Sequence, residues 1–367
     1  MTLDRITLAS FRNHGSTTLE GAGRLNLLVG ENGAGKTNVL EALSLFAPGR
    51  GLRRAQLAEI ALAEPAERPE SSAGFAISAR LDPGDGGEPV VLGTGTAPER
   101  PGRRLVQVNG AEASAASLAE WLAIGWLTPA MDGLFTDSAG ARRRYLDRLA
   151  VALFPDHATI AARFERALRE RNRLLAEPGT DAAWFLSGEK QLAEAGAALA
   201  QRRAALVERL SAALASEPEQ PFARPLLTSR PGGPATAEAL AETLAASRTR
   251  DREAGRTLTG PHRDELAVVM AGKHQPAAAC STGEQKAMLI ALTLAHAALA
   301  SAGRPSVLLL DEVAAHLDPL RREALFERLR AGAAQVWLTG TEPTPFAAIT
   351  GEAAVWRVAG GTVERVG

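Results

Sequence analysis

Residues 30–37 read Gly30-Glu31-Asn32-Gly33-Ala34-Gly35-Lys36-Thr37 and match the pattern G-x-x-x-x-G-K-[ST] at every fixed position. An apolar segment at residues 25–29 precedes them, and a helical pattern at residues 36–46 follows. In this strand–loop–helix order, backbone N–H groups and a helix dipole bind phosphate. We therefore predict a phosphate-binding loop, with Lys36 at the β- and γ-phosphate oxygens and the Thr37 hydroxyl on Mg²⁺.

A pair of carboxylates follows an apolar run late in the chain. Residues 307–310 are Val-Leu-Leu-Leu, and Asp311 and Glu312 come directly after them. Such a run is typical of a buried parallel strand, and ligands bind at the carboxyl ends of strands in open α/β sheets. Together with the loop at 30–37, this predicts that Asp311 helps to hold Mg²⁺ and that Glu312 polarises a water attacking the γ-phosphate.

A third motif, Ser281-Thr282-Gly283-Glu284-Gln285, opens an apolar helix predicted over residues 286–299. S-x-x-E alone is a capping box, in which two side chains satisfy the free N–H groups of a helix start. The glycine at the third position, and Asp311 thirty residues later, are instead the order of a signature segment in ABC-type ATPases. Both interpretations stay open. His316-Leu317-Asp318-Pro319, which follows Glu312, resembles the D-loop of the same class.

The composition is that of a globular protein, with 46% hydrophobic and 23% charged residues among 367. The formal net charge of −1 means that any nucleic-acid surface must be a local patch. The single cysteine, Cys280, excludes a disulfide within the chain and a multi-cysteine metal site. No secretory signal or apolar stretch of membrane-spanning length is visible, so we expect a cytoplasmic protein with no membrane partner.

The pattern along the chain predicts an α/β fold, a mixed sheet with an antiparallel β subdomain and an inserted helical lobe. Residues 1–150 form the N-terminal half of the head, with short β-type runs at 75–81, 90–92 and 105–108. Residues 151–250 form the lobe, and residues 251–367 the C-terminal half of the head. Helices are predicted at 158–175 and 189–214, and a proline-rich linker at 217–234. Leu192, Leu199 and Leu206 fall seven apart, which fits a short coiled-coil seam and an ordinary bundle core equally well.

These motifs together resemble the SMC/Rad50-like branch of ABC ATPases, and within it the RecF family. The similarity runs essentially from end to end. Phe11-Arg12-Asn13-His14 resembles the FRN element of that family, and residues 49–53 its GRS-x-R segment. Residues 142–147 (RRRYLD) are similar to its RR-x-FLD motif and residues 260–266 (GPHRDEL) to its GPHRDDL motif. These last two motifs and the segment around Asp311 are more specific than the phosphate loop.

The resemblance implies an ABC-type ATPase head in which two chains sandwich two ATP molecules. Lys36 and Glu312 would be catalytic, and Thr37 and Asp311 would hold Mg²⁺. ATP contacts are implied at Arg12, Asn13, Gly30, Asn32, Gly33, Ala34, Gly35, Lys36, Thr37 and Asn38. The second chain would supply, in trans, Ser281, Gly283, Glu284 and Gln285, with Asp318 in the D-loop.

The function that the resemblance implies is recombinational DNA repair. The chain would be an ATP-gated, dimerising clamp with slow, DNA-dependent ATP hydrolysis, acting on duplex DNA near single-strand gaps. RecR, with RecO as a further partner, would join it in loading a recombinase. The protein would be cytoplasmic and would associate with the nucleoid when bound to DNA.

The surface that contacts DNA is indicated only by local charge. Between Asp137 and Arg173, nine arginines stand against five acidic residues. We predict DNA contacts at Arg142, Arg143, Arg163 and Arg166. The same charges fit a solvated helix surface, and the first two arginines fit a dimer face equally well. Because the chain has only 16 aromatic residues, stacking platforms for single strands are not expected.

Some family features are missing or ambiguous. Residues 127–131 (LTPAM) offer no glutamine for a Q-loop, and residues 339–341 (TGT) stand where transporter-type ABC proteins often present a switch histidine. His262 with Arg263 is either a structural hydrogen-bonding pair or a nucleotide sensor. Two other functions are disfavoured. The helical insertion, the FRN start and the missing histidine disfavour a transporter subunit, and a nuclease would need a further carboxylate-rich domain.

Overall fold

The computed structural model describes residues 2–62, 74–84, 86–177, 181–314 and 317–367. Two compact units divide the chain: Met1–Met131 together with Thr293–Gly367, and Asp132–Leu292. Within the described ranges, no helix combines the length and apolar character needed to cross a membrane.

The described residues form fifteen strands and ten α-helices. In chain order the strands are β1 (Thr2–Phe11), β2 (His14–Glu20), β3 (Leu25–Val29), β4 (Ala76–Asp82), β5 (Val90–Ala97), β6 (Arg100–Val108), β7 (Ala111–Glu112), β8 (Ala123–Leu127), β9 (Pro225–Arg230), β10 (Glu265–Met270), β11 (Gln275–Pro276), β12 (Ser306–Leu310), β13 (Gln335–Gly340), β14 (Ala354–Ala359) and β15 (Thr362–Arg365). The helices are α1 (Lys36–Ser44), α2 (Leu118–Trp121), α3 (Ala139–Leu153), α4 (His157–Ala176), α5 (Ala182–Ala215), α6 (Ala237–Ala246), α7 (Arg248–Glu253), α8 (Thr282–Ala300), α9 (Pro319–Ala331) and α10 (Ala347–Thr350).

The first unit contains a largely parallel sheet with the order β15-β14-β3-β13-β12-β8. Its central strands are buried, and every residue of β12 and β13 is buried. In the register, Leu310 pairs with Leu338 and Gly340 with Val29, so β12, β13 and β3 end at the same edge. Therefore the phosphate loop after β3, Asp311 after β12 and Thr339 near the end of β13 meet there. The predicted α/β fold and the buried strand are confirmed.

An antiparallel sheet with the order β2-β1-β4-β5-β6-β7 forms the rest of this unit. The three β-type runs predicted from the sequence are β4, shifted by one residue, and β5 and β6, each extended by five residues. Their inward side chains share a core with α1 that includes Ile77, Leu43 and Phe46. Arg104 of β6 donates hydrogen bonds to the carbonyl oxygens of Ala47 (3.2 Å) and Gly49 (2.9 Å), just beyond α1. The antiparallel sheet is thereby fastened to the helix that follows the phosphate loop.

The second unit is a helical bundle with a three-stranded sheet, ordered β11-β10-β9. It extends beyond the lobe predicted at residues 151–250, because α3 packs on α5 and β10 and therefore belongs with them. α5 begins at Ala182, earlier than predicted, because the Asp181 side chain caps it by accepting from the backbone N–H of Ala183. Residues 178–180, between the two predicted helices, lie outside the described ranges.

The leucines spaced seven apart are core residues. Leu192 and Leu199 pack with Phe164 of α4 and Leu240 of α6, and Leu206 is fully buried. The bundle interpretation is therefore confirmed over the coiled-coil seam. The linker predicted at 217–234 is wrong in part, since it contains β9, which pairs antiparallel with β10 along its whole length.

Candidate functional site

The loop between β3 and α1 has the backbone that its glycines allow. Gly33 and Gly35 adopt φ values of 82° and 114°, in the region that disfavours side chains. A Cβ on Gly30 would lie 2.1 Å from the carbonyl oxygen of Val358, so a larger residue cannot stand there. The glycines are therefore required by the close approach of neighbouring backbone as well as by the turn.

Lys36 is buried at the centre of this loop, with 4% of its surface exposed. Its Nζ donates to the carbonyl oxygens of Gly30 (2.5 Å) and Glu31 (2.8 Å). Burial lowers the pKa of Lys36, and the carboxylates of Glu312 and Asp311 oppose that shift. The side chain is therefore held in place by the loop, and one of its three N–H donors remains for a ligand.

The first turn of α1 adds to the positive potential. Its N-cap is Gly35, which provides no side-chain cap, and the described first turn carries no acidic residue. Backbone N–H groups at such a helix start, with the helix dipole behind them, bind anions.

Asp311 links the acidic strand end to the loop. Thr37 Oγ1 donates to its carboxylate oxygens at 2.9 and 3.2 Å, and Thr339 Oγ1 donates to Oδ1 at 2.9 Å. A hydroxyl and a carboxylate so close together suit Mg²⁺, which prefers oxygen ligands and usually takes the rest from phosphates and water. Consistent with this, the described residues contain no group of three or more His, Cys, Asp or Glu arranged to hold a metal by themselves.

Glu312 has a left-handed backbone conformation, which a hydrogen bond to the hydroxyl of Thr339 stabilises. Its φ is 53°, and its N–H donates to Thr339 Oγ1 at 2.9 Å. Such a conformation costs about 1–3 kcal/mol for a residue with a side chain and is concentrated at functional sites. Thr339, 1% exposed, thus contacts both the Asp311 carboxylate and the backbone of Glu312. Thr339 was not predicted from the sequence as a site residue, because its contact with Asp311 depends on β13 lying beside β12 in the sheet.

The neighbouring residue, Gly340, shows why a switch histidine is missing. A Cβ at this position would lie 2.3 Å from Cε2 of Phe346, which is itself buried. The packing of Phe346 therefore excludes any larger side chain at residue 340.

Arg12, in the turn between β1 and β2, is bound to α1. Its guanidinium makes two hydrogen bonds to the Glu41 carboxylate, Nε to Oε2 at 2.9 Å and Nη2 to Oε1 at 2.6 Å. Arg53 Nη1 approaches the same carboxylate at 2.7 Å. Glu41, whose side chain is 1% exposed, was not identified from the sequence. It neutralises the charge of Arg12 and anchors the turn.

The next two residues of the turn contact the phosphate loop directly. Asn13 Nδ2 donates to the carbonyl oxygen of Ala34 at 3.1 Å and accepts, through Oδ1, a hydrogen bond from Asn38 Nδ2 at 2.6 Å. His14 Nε2 lies 3.2 Å from the carbonyl oxygen of Gly35. The structure therefore brings together the predicted positions from Arg12 to Asn38, with Asp311 and Glu312.

The segment predicted as a signature has the geometry of a capping box. Glu284 Oε2 accepts from the N–H and the hydroxyl of Ser281 at 2.9 and 3.0 Å, and the N–H of Glu284 lies 3.4 Å from Ser281 Oγ. An ion pair with Lys273 and these bonds lower the pKa of Glu284 to about 2. Gln285 is buried and donates to the carbonyl oxygen of Cys280 at 2.9 Å. Gly283 has open space where a Cβ would stand. A role in trans stays a prediction.

Asp318 caps a helix. Its side chain accepts from the backbone N–H of Arg321 at 3.0 Å, at the start of α9. His316, in the same predicted D-loop, lies outside the described residues.

Comparisons with known proteins agree on one family. The family model described as "RecF/RecN/SMC N terminal domain" matches residues 2–358. DNA replication and repair protein RecF of Mesorhizobium japonicum is 45% identical over 375 residues, covering 98% of this chain and 97% of that protein. Its counterpart in Brucella suis is 44% identical over 374 residues, covering 98% and 95%. This chain belongs to the RecF family.

Solved structures support the same fold. A structure described as the recombination mediator protein RecF with ATPrS in the RecFOR pathway has a TM-score of 0.84 at 22% identity, covering 100% of this chain and 98% of the other. An Smc head bound to a domain of ScpA has a TM-score of 0.54 at 16% identity, covering 100% and 97%. The RecF-family chain therefore has the ABC ATPase head fold.

Two RecF-type motifs in the second unit are joined by a residue outside both. Arg203 of α5 donates to Asp147 of the RRRYLD motif, and its Nη1 donates to Asp264 of the GPHRDEL motif at 2.9 Å. Burial alone would raise the pKa of Asp147, but hydrogen bonds from His157 and Arg203 outweigh it and keep the pKa low. Arg203 could not be identified from the sequence, because it lies outside both motifs.

The remaining motif residues separate into anchors and surface groups. Arg142 Nε donates to Glu265 at 2.7 Å, and Arg143 Nη1 to the carbonyl oxygen of Asp264 at 2.8 Å. His262 Nε2 donates to the carbonyl oxygen of Thr257 at 2.9 Å, so its hydrogen-bond partner is Thr257 rather than the predicted Arg263. By contrast, Arg163 and Arg166 are exposed on α4. Of the four predicted DNA contacts, the last two keep their charge at the surface.

Proposed function

We propose that this RecF-family chain is an ATP-dependent DNA-binding protein of recombinational repair, whose two copies close on ATP and hold DNA as a clamp. The observation that carries the proposal is the hydrogen bond from Thr37 Oγ1 to Asp311, 2.9 Å long. It joins the phosphate loop to the acidic strand end, beside a lysine already fixed by the loop. This arrangement suits a nucleoside triphosphate with its metal.

The residues of the loop would divide the binding of ATP among them. Lys36 offers its remaining N–H to the β- and γ-phosphates, and backbone N–H groups of residues 32–37 surround them. Thr37 and Asp311 would hold Mg²⁺, which neutralises phosphate charge when bound. Asn38 and Asn13 keep the loop in shape through their mutual hydrogen bond. Arg12 holds the β1–β2 turn against α1 through its ion pair with Glu41.

Hydrolysis would depend on Glu312. Its carboxylate takes a proton from the water that attacks the γ-phosphate, and its fixed backbone aims the side chain. The second copy would supply Ser281, Gly283, Glu284 and Gln285, with Asp318 near the interface, so a lone chain hydrolyses ATP poorly. An ATP-dependent homodimer is therefore the active species.

The DNA substrate and the protein partners follow from the family. Curated relatives are named DNA replication and repair proteins, and the solved RecF is described within the RecFOR pathway. We propose gapped DNA, or duplex beside a single strand, as the substrate. RecR is the first partner and RecO the second, and the place of action is the cytoplasm at the nucleoid. Arg163 and Arg166 are the better placed of the predicted DNA contacts.

Light scattering on the purified chain tests this proposal directly. With ATP and gapped DNA we expect a mass of two chains, and without ATP a mass of one. Lys36→Met should abolish ATP binding and with it the dimer, because the loop loses its cation. Glu312→Gln should bind ATP and accumulate as the dimer while hydrolysis slows at least tenfold, because the amide cannot act as a base.

Arg100→Ala is a matched control, because it removes one exposed charge far from the loop in sequence. ATP affinity, mass with ATP and hydrolysis rate should all stay at their wild-type values. Normal ATP affinity in Lys36→Met would contradict the phosphate-loop assignment. A wild-type mass that is the same with and without ATP would contradict the proposed ATP-gated clamp.

A further inference from the structure

A groove of about 530 Å³ runs between α4 and α5 in the second unit. Six residues of α4, four of them arginines and one acidic, and two of α5 line it: Arg163, Arg166, Ala167, Arg169, Glu170, Arg173, Gly188 and Gln191. The first arginine and the last are ten positions apart, which is about 15 Å along the helix. The arginines therefore form a row along the groove.

The charge in this row is only partly balanced. Arg173 pairs with Glu170 and Glu177, and Arg169 lies 3.8 Å from Glu165. Arg163 and Arg166 form no ion pair with any described residue, and both are exposed. Two guanidinium groups thus remain for a ligand with spaced negative charges. A polyphosphate backbone is such a ligand.

An exposed tryptophan lies on α5 just beyond the residues that line the groove, toward its Arg173 end, because the next residue, Phe185, packs with Leu174 and Leu175 of α4. Trp184 is 71% exposed, although indole rings are usually well buried. It precedes Gly188 by one turn of α5 and so lies on the same face of that helix. A flat ring beside a row of arginines is the combination that proteins use to bind single strands, with phosphates on the cations and bases on the ring.

We propose that the α4–α5 groove binds a single-stranded segment of DNA, with its phosphates on Arg163 and Arg166 and a base stacked on Trp184. This inference rests on the proposed DNA-binding function and names the form of DNA that this surface takes. The tryptophan favours a single strand over a duplex, because the faces of paired bases are covered by their neighbours. The arginine row favours nucleic acid over a protein partner.

The inference departs from the expectation drawn from composition. Sixteen aromatic residues were too few to predict a stacking platform, but one ring suffices when it is exposed beside the cations.

The test measures the affinity of the full chain, with ATP, for a single-stranded thymidine oligonucleotide and for a duplex of equal length. Trp184→Ala should weaken single-strand binding about tenfold, and Trp184→Phe should largely restore it, because phenylalanine also stacks. Arg163→Ala with Arg166→Ala should weaken it further and reduce the slope of log affinity against log salt by about 1.4. Duplex binding should change little in the tryptophan variants.

Gly188 provides a second, independent variant. No atom lies within 4 Å of where its Cβ would stand, so side chains fit without disturbing the helix. Gly188→Glu should block single-strand binding by adding charge and bulk to the groove. Gly188→Gln controls for bulk alone, and Arg100→Ala controls for the loss of one exposed charge elsewhere.

The outcomes separate this inference from the proposed function. If the wild type binds duplex with ATP but the groove variants leave single-strand affinity unchanged, the groove assignment is wrong and the DNA-binding function stands. If single-strand binding depends on the groove but ATP affects neither binding nor mass, the ATP-gated clamp is wrong and the groove stands. Loss of RecR binding in Trp184→Ala, with DNA binding intact, would make the surface a protein interface and overturn the inference.

Discussion

Arg203 and Asp147 form a bidentate ion pair between α5 and α3, with Nε–Oδ1 and Nη2–Oδ2 distances of 2.8 Å each. Arg203 also donates to the carbonyl oxygen of Pro261 at 2.7 Å and to Asp264, so its side chain, only 5% exposed, is fully engaged. Buried charges of this kind are stable only while all partners are present. The pair therefore holds three segments distant in sequence in one arrangement.

The first prediction concerns that arginine. Arg203→Met should lower the free energy of unfolding by about 3–5 kcal/mol, because it leaves Asp147 and Asp264 without their cation. Arg203→Lys should recover only part of the loss, since an ammonium cannot make the forked contact. Urea unfolding measures both. The adjacent Arg202, paired with Asp156 at the surface, is the matched control: Arg202→Ala should cost less than about 1 kcal/mol. Equal losses of unfolding free energy in Arg203→Met and Arg202→Ala would contradict the stabilising role of the buried Arg203 ion pairs.

The second prediction concerns Thr339. Thr339→Val keeps the shape of the side chain but removes the hydroxyl that bonds Asp311 and the N–H of Glu312. ATP affinity should stay within a few-fold, while kcat falls about 10–100-fold, because the base and the metal ligand lose their orientation. Thr339→Ser should restore most of the rate. A parallel loss of ATP affinity and rate in the valine variant, with no rescue by serine, would mean that Thr339 acts only in packing.

The third prediction decides between the two interpretations of Ser281. If the segment is a capping box alone, Ser281→Arg should cost about 0.5–2 kcal/mol of stability and leave ATP-dependent dimerisation unchanged. If it also contacts the γ-phosphate in trans, the variant should bind ATP normally, because residues 30–37 are untouched, but fail to dimerise. We expect the second result.

Two measurements on the same sample decide it, namely ATP affinity and the mass with ATP. A 1:1 mixture with Lys36→Met chains should recover at most one working site per heterodimer, since each variant damages a different half-site. If Ser281→Arg forms dimers at the ATP concentration that suffices for the wild type, helix capping is the only role of Ser281.

The fourth prediction is a pH dependence from His262. Burial lowers its pKa, and the charges of Arg263 and Arg143 lower it further, against Asp264 and the hydrogen bond to Thr257. Because the folded pKa lies below the unfolded value of about 6.5, the unfolded chain binds the proton first. Stability is therefore highest above pH 6.5 and falls as the pH drops from there toward the folded pKa, by at most about 1.4 kcal/mol per pH unit.

His262→Gln should remove this part of the pH profile, since glutamine can donate to Thr257 without titrating. Urea unfolding at pH 7.5, 6.5 and 5.5 for both chains gives the difference that belongs to His262. Parallel profiles would show that the imidazole does not titrate in this range.

Local sequence determined the residues of the candidate nucleotide site. The glycines of residues 30–37 have no alternative where φ is positive or where backbone approaches within van der Waals distance, so the pattern itself specifies the loop. The apolar run at 307–310 specifies a buried strand, because four consecutive buried side chains need a covered sheet. The family followed from these motifs and from residues 142–147 and 260–266.

Tertiary structure alone decided which residues support those motifs. Thr339 becomes significant only because β13 lies beside β12 in register, and Glu41 only because the β1–β2 turn lies on α1. Arg203 meets Asp147 and Asp264 across more than fifty residues of chain on each side. β9 exists because β10 offers a partner edge, although the prolines around it and its own polar residues favour a linker. The physical reason is the same throughout: a motif is set by the conformation of neighbouring residues, whereas a hydrogen bond between distant segments depends on how whole elements pack.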